Sequence, residues 1–264
     1  MNKRIIWIFL FLIWGGELLS QPRYLNFGAG TAYNLFDDEG LSDLPYEGFG
    51  SYLTAALEWD SPSAWHRLGL NAQLGYLSPV QGPGTGIHTL IDAGYAHLFN
   101  TRLMPEPWRL SIGPEASVYI NQVFQTSYSN NVIHPFWDIN LALAARALRP
   151  FYLFKRKWEL ALRATLPLLG LAMRPDYAYL APRGFYIFPD KPLQAIRESS
   201  MPVYPPGWLR VKTGVELSYL LKNGNRLGAG YDWYYSSIKS RPSWRINSAR
   251  AAGHGLYLFL KFNF

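Results

Sequence analysis

Apolar residues recur at every second position along most of this chain. In the last segment, Leu256, Leu258, Leu260, Phe262 and Phe264 share one face, and Gly255, Tyr257, Phe259, Lys261 and Asn263 share the other. Stretch 208–221 behaves the same way, with Leu209, Val211, Val215 and Leu217 on one side and Arg210, Lys212, Glu216 and Ser218 on the other. A strand with one apolar and one charged face predicts a sheet that separates two different environments. Ten such segments follow one another, at 24–36, 48–59, 67–78, 88–99, 108–121, 136–154, 158–168, 208–221, 226–237 and 254–264. Most are far longer than the usual strand of about 5–6 residues. They suit tilted strands that cross a membrane, which need about 9–11 residues in the hydrocarbon.

The connections alternate in length. Short links at 60–66, 100–107, 155–157 and 222–225 follow the even segments, and the last contains the hairpin pair Asn223-Gly224. Longer links at 37–47, 122–135, 169–207 and 238–253 follow most odd segments, with 79–87 the shortest of that set. Short turns at one end and long loops at the other predict an all-β fold, an antiparallel up-and-down transmembrane barrel of about ten strands. An even count puts both termini on the short-turn side, the periplasm. Dividing 136–168 and 169–207 differently gives eight or twelve strands, and 184–188 is a candidate extra extracellular strand. Pro114 and Pro167 fall inside predicted strands and each removes a ladder donor. A bulge or a strand end is expected at each, and the seventh strand could stop before Pro167.

Charge follows the same alternation. With the apolar positions turned outward, the inner face collects Glu58, Asp92, Glu115, Asp138, Glu159, Glu216 and Asp232. It also collects Arg67, Arg109, Arg146, Arg163, Arg210, Lys212 and Lys261. Acids and bases balance there, and few charges are left facing lipid, where Arg or Lys costs about 2–4 kcal/mol at the midplane. Trp59, Phe99, Trp108 and Trp158 lie near the short-turn end, and Tyr76, Trp137, Trp233 and Tyr235 near the long-loop end, as two headgroup girdles would require.

Composition narrows the class further. Only 16% of the 264 residues are charged and 16% are aromatic, which excludes a highly charged disordered chain. The N-terminus has the order of an export signal. Asn2-Lys3-Arg4 is followed by an apolar run at 5–14, then Gly15-Gly16 and Ser20. Cleavage after Ser20 leaves a single barrel domain at 21–264. The apolar run falls short of the roughly 20 residues that span a bilayer. There is no cysteine, so disulfides, thiolate nucleophiles and Cys-ligated zinc are excluded.

With these features assembled, the chain resembles the Gram-negative outer-membrane β-barrel proteins. The likeness rests on segment 1–20, the alternating strands and the C-terminal strand 255–264 ending in Phe264. It implies that Leu256, Leu258, Leu260, Phe262 and Phe264 form the assembly signal read by the barrel-assembly machinery. It implies residence in the outer membrane among phospholipid and lipopolysaccharide. It names no activity.

Three functional classes remain. A ten-stranded barrel is narrow, and its balanced charges would pair across the lumen and fill it. That favours a non-enzymatic barrel acting through its outer loops, as a binding or accessory subunit of a membrane assembly. Link 169–207 carries seven prolines interleaved with Tyr177, Tyr179, Phe185, Tyr186, Phe188 and Tyr204, together with Arg183. Such a segment reads as an ordered cap, either a protein-binding surface or an inward plug. Arg174, Lys191, Arg197, Lys239, Arg241, Arg245 and Arg250 add a cationic outer face suited to lipopolysaccharide. The second class is a narrow channel for small solutes. The third is a surface hydrolase using His88, His134 or His254, but His134 and Asp138 lie about 13 Å apart along one strand. His66 and His97, at the other end, read as structural. No metal or cofactor motif is present, the acidic run Asp37-Asp38-Glu39 with Asp43 and Glu47 reads as a solvated loop, and nothing points to nucleic acid.

Overall fold

The computed structural model describes residues 23–39, 44–81, 84–125, 133–174, 184, 187–239 and 248–264. The predicted signal, 1–20, lies outside the described residues. The elements are β1 (Arg23–Asp38), β2 (Tyr46–Asp60), β3 (Ala64–Pro79), β4 (Gly86–Thr101), β5 (Arg109–Gln125), β6 (Ile133–Leu153) and β7 (Arg156–Met173). After these come α1 (Pro192–Ser199), β8 (Met201–Val203), β9 (Trp208–Leu220), β10 (Arg226–Ile238) and β11 (Ala249–Asn263). Each long strand pairs antiparallel with its chain neighbour, and β1 pairs with β11 from Tyr24↔Asn263 to Asp38↔Ala249. With β6 on β7 and β7 on β9, the wall closes into a ten-stranded barrel. Closure removes the free edges that lipid does not tolerate.

Alternation decides which way each side chain points. Leu258 is 68% exposed, while its neighbours Tyr257 and Phe259 are buried. Phe27, Leu53, Leu68, Leu70, Val215 and Leu256 continue the outward apolar band. Two inward glycines make room for bulky neighbours in the narrow bore. A Cβ on Gly230 would fall 2.2 Å from Tyr257 Cζ, and one on Gly253 would fall 2.1 Å from Tyr234 Cε1.

Local chemistry fixes the short turns. Gly224 takes φ +84 in the β9–β10 turn, where Leu221 N–H donates to Asn225 C=O. The β6–β7 link is tighter than the sequence suggested. The ladder runs to Leu153↔Arg156, leaving Phe154 and Lys155 at φ 50 and 61, the positive φ at both positions that a two-residue hairpin turn requires.

The two prolines behave differently. Pro114 points outward, and β5 keeps one register with β6 on either side of it. Pro167 sits beside a bulge. Leu141 pairs with Leu169 and Ala142 with Pro167, so Leu168 is the extra residue and the facing of β7 inverts beyond it. The seventh strand therefore does not stop at Pro167. It runs on to Met173, taking five residues from the predicted loop 169–207. The rest of that loop is structured in part by α1 and β8. An extra pairing at the long-loop end falls on Met201–Val203, against Gly170–Ala172, while in the predicted strand 184–188 Phe188 N–H donates to Gly184 C=O and residues 185–186 lie outside the described residues.

Candidate functional site

The lumen is built in layers, each supplied by the inward positions of several strands. At the long-loop end, β8 delivers Met201 and Val203 onto Leu90, Tyr119, Phe136, Ala172, Trp208 and Ile238. A second apolar cluster of Phe36, Tyr46, Leu77, Val123 and Ala251 lies alongside. Arg174, just beyond β7, forms a buried ion pair with Asp38 at the end of β1, across the mouth. Together these side chains make a dry cap.

A charged section follows. Arg210 Nη1 lies 3.1 Å from Asp138 Oδ1, its Nη2 donates to Ser117 Oγ at 2.7 Å, and its guanidinium stacks 4.4 Å above the Tyr119 ring. Asn140 Nδ2 donates to the same Asp138 carboxylate at 2.7 Å. Lys212 Nζ bridges Asp92 at 3.0 Å and Glu115 at 2.7 Å. Arg163 Nη2 reaches Glu216 at 2.9 Å and Asp232 at 3.4 Å, and Tyr52 Oη donates to Asp232 at 2.5 Å. Lys261 Nζ lies 2.8 Å from Glu216 and 3.1 Å from Glu58, and Arg67 Nε approaches Glu58 at 3.9 Å. At the short-turn end Arg226 pairs with Glu159 and lies over Tyr24, while Arg146 lies 4.6 Å above Trp65. Trp65, Leu98 and Ala144 pack as an apolar floor.

These groups leave a cavity of about 90 Å³, lined in part by Asn71, Gln73, Asp92, Glu115, Arg163 and Lys212. Asn71 Oδ1, Gln73 Oε1 and Asp92 Oδ1 have no hydrogen-bond partner among the described residues. A polar space of this size holds several waters, which would serve those acceptors. The arrangement lines an internal chamber with polar groups and cross-braces the wall. Its charge-assisted bonds tie β2, β4, β5, β6, β7, β9, β10 and β11 together.

The inward residues named from the sequence thus meet in the lumen, apart from Arg109. Its side chain is 60% exposed and lies 3.9 Å from Asp60 at the rim, because β5 begins there and the bore has ended. Sequence reasoning missed Arg226, although it shares the parity of Asp232 on β10. It also missed the Arg174–Asp38 pair, since both were assigned to solvated loops. Of the acidic run, Asp38 is instead buried in the mouth, while Glu39 and Glu47 are exposed, the Glu39 carboxyl held below the usual range by hydrogen bonds from Ser248. Asp43 lies outside the described residues.

Of the expected loop surface, Tyr177, Tyr179, Arg183, Phe185 and Tyr186 lie outside the described residues. Phe188 is half-buried and Tyr204 is exposed. The histidines are dispersed. His88 is buried, with Nε2 2.8 Å from Asn121 Oδ1. His254 faces outward with Nδ1 2.6 Å from Tyr231 Oη, and the side chain of His134 is not among those described. His66 and His97 pack edge to face at 4.5 Å in a short-turn-end girdle with Trp59, Tyr95 and Phe99.

No family model matches the chain, and no curated protein matches it. Among solved structures, the outer membrane protease OmpT from Escherichia coli aligns over 93% of this chain and 97% of its own, with a TM-score of 0.51 and 9% identity. The fold is that of an outer-membrane β-barrel. The translocator domain of autotransporter NalP from Neisseria meningitidis aligns over 99% of this chain and 96% of its own, at a TM-score of 0.42 and 11% identity. The COG4313 outer membrane channel from Pseudomonas putida F1 reaches a TM-score of 0.27 at 9% identity, over 92% of this chain and 95% of that one.

Proposed function

We propose that this chain is a closed, non-enzymatic outer-membrane barrel that works through its long-loop face, as a binding or accessory subunit of a membrane assembly. The observation that carries this reading is a bore closed at both ends around a small internal chamber. An apolar cap seated by Met201, Val203 and Trp208 lies over a paired charge section, and an apolar floor lies beneath. A barrel built this way spends its interior on rigidity, which leaves the outer face to act. There, α1 and its neighbours expose Ile187, Leu193 and Tyr204, with Lys191 and Arg197 beside them. Aromatic and aliphatic side chains ringed by cations suit a protein partner on a lipopolysaccharide surface. In this reading the termini face the periplasm, and the barrel-assembly machinery reads the last strand.

Cross-linking in intact cells tests the reading. The chain would carry a photoreactive side chain at Leu193 or Tyr204, and a control would carry it at Asn223 in the short turn. A discrete protein adduct at the first two positions, lost when 187–204 is replaced by a glycine-serine linker, is the expected result. Adducts of lipid alone at both cap positions would overturn it.

A further inference from the structure

The barrel wall has a seam that lacks a backbone ladder. The ladder between β7 and β9 runs from Trp158↔Tyr219 to Thr165↔Lys212 and stops there, although both strands continue. Beyond it, β9 stays on β10, with Trp208 opposite Ile238, while β7 leans away and takes β8 at Gly170–Ala172. Residues Leu166–Leu169 of β7 therefore lie between the two ladders, opposite residues 204–211, without a ladder among the described residues. The cause is local. Pro167 lacks a donor, and the extra residue Leu168 inverts the facing of the strand.

The seam lies at the level of the dry cap. Outside it, Leu166, Leu168, Leu169 and Leu171 stand exposed on the lipid-facing wall. Directly inside is the apolar cluster of Phe136, Trp208 and Ile238, where Met201 and Val203 now sit. Apolar side chains thus flank the seam on both sides of the wall, and those on the inside are sealed. Charged side chains block the other approaches to this chamber. The Arg174–Asp38 pair straps the mouth above, and the Arg210–Asp138 pair closes the bore below.

We propose that the seam between β7 and β9 is a lateral port, through which one acyl chain of a membrane lipid enters the cap chamber in exchange for Met201 and Val203. The occupant follows from the lining. A polar solute would find no partner along the leucines, whereas a flexible unbranched chain replaces the methionine side chain atom for atom. β8 is suited to yield, since three residue pairs hold it to β7. The port is independent of the axial closure argued above, because the charged section below stays shut.

The test is photolabelling of the full-length barrel in dioleoyl phosphatidylcholine vesicles, doped with phosphatidylcholine that carries a diazirine in one acyl chain. Adducts are mapped by mass spectrometry. Labelling of the inward residues Met201, Val203 or Phe136, besides the outward Leu169 and Leu171, is the expected result. A Leu166→Cys/Val211→Cys variant joins the next positions beyond the last ladder pair, in a chain with no other cysteine. Oxidising it should abolish the inward adducts and spare the outward ones, and reduction should restore them. Met201→Ala, which empties part of the chamber, should increase inward labelling. Adducts confined to outward residues in both the native chain and Met201→Ala would overturn the port. Inward labelling unchanged by a closed disulfide would overturn the seam as its route.

Discussion

Replacing Lys261 by Met tests whether the lumen charges act as a mutually dependent set. The Lys261 side chain is 4% exposed, and its Glu58 and Glu216 partners are each 5% exposed, so water screens none of them well. Removing the ammonium leaves Glu216 with Arg163 at 2.9 Å, but leaves Glu58 with Arg67 only at 3.9 Å. Breaking a buried pair by deleting one partner costs about 3–5 kcal/mol, because the remaining charge stays desolvated. That corresponds to roughly two to four decades in the folded-to-unfolded ratio. Glu58→Gln added to Lys261→Met removes the orphaned charge, and should recover most of the loss. The assay is reversible urea unfolding of the barrel in lipid vesicles, followed by tryptophan fluorescence. Arg197→Ala is the control. Its pair with Glu198 is 81% and 42% exposed, which limits the effect to about 0–1 kcal/mol. A Lys261→Met cost as small as the control's, or a double variant no better than the single one, would refute the reasoning.

Other outcomes follow from the same geometry. Leu258→Arg puts a cation on the lipid face of β11 and should cost about 2–4 kcal/mol in vesicle unfolding, whereas Arg109→Ala, at the rim, should change little. Gly230→Val drives a branched side chain into Tyr257 and should destabilise by about 1–3 kcal/mol or more, with Tyr257→Ala in the same chain relieving part of the clash. Deleting Phe264 should lower the yield of inserted barrel in cells, with little effect on the stability of what does insert, as read by protease protection. Single cysteines at Leu193 and Asn223 should differ in intact cells. A membrane-impermeant maleimide should label the first and not the second if the long-loop end faces outward.

The wall was legible because each residue votes on one question, lipid or bore, and a strand repeats that question every second position. Leu256 to Phe264 and Leu209 to Leu217 declare their facing without any tertiary knowledge. The lumen charges were legible for the same reason, since parity alone gathers Lys212, Asp92 and Glu115. Pairing was not, because it depends on register and on which strands face each other across the bore. Parity also breaks where the backbone inserts a residue, so the course of β7 beyond Pro167 was hidden. The cap was hidden for a different reason. Met201 and Val203 form a strand of three residues, too short for alternation to register, and Arg174 is basic in a loop-like context that gives no hint of its buried partner on β1.

The most direct test of the closed bore is single-channel recording of the purified, full-length barrel in a planar bilayer, run beside a Met201→Ala/Val203→Ala variant and a Lys212→Ala variant. The closed bore predicts no unitary current steps in the intact protein at any voltage the bilayer sustains. It also predicts silence in the cap variant, because the charge section beneath remains paired, and silence in Lys212→Ala, because the cap, the floor and the Arg210–Asp138 pair remain in place. Stable, discrete current steps in the intact protein would contradict it.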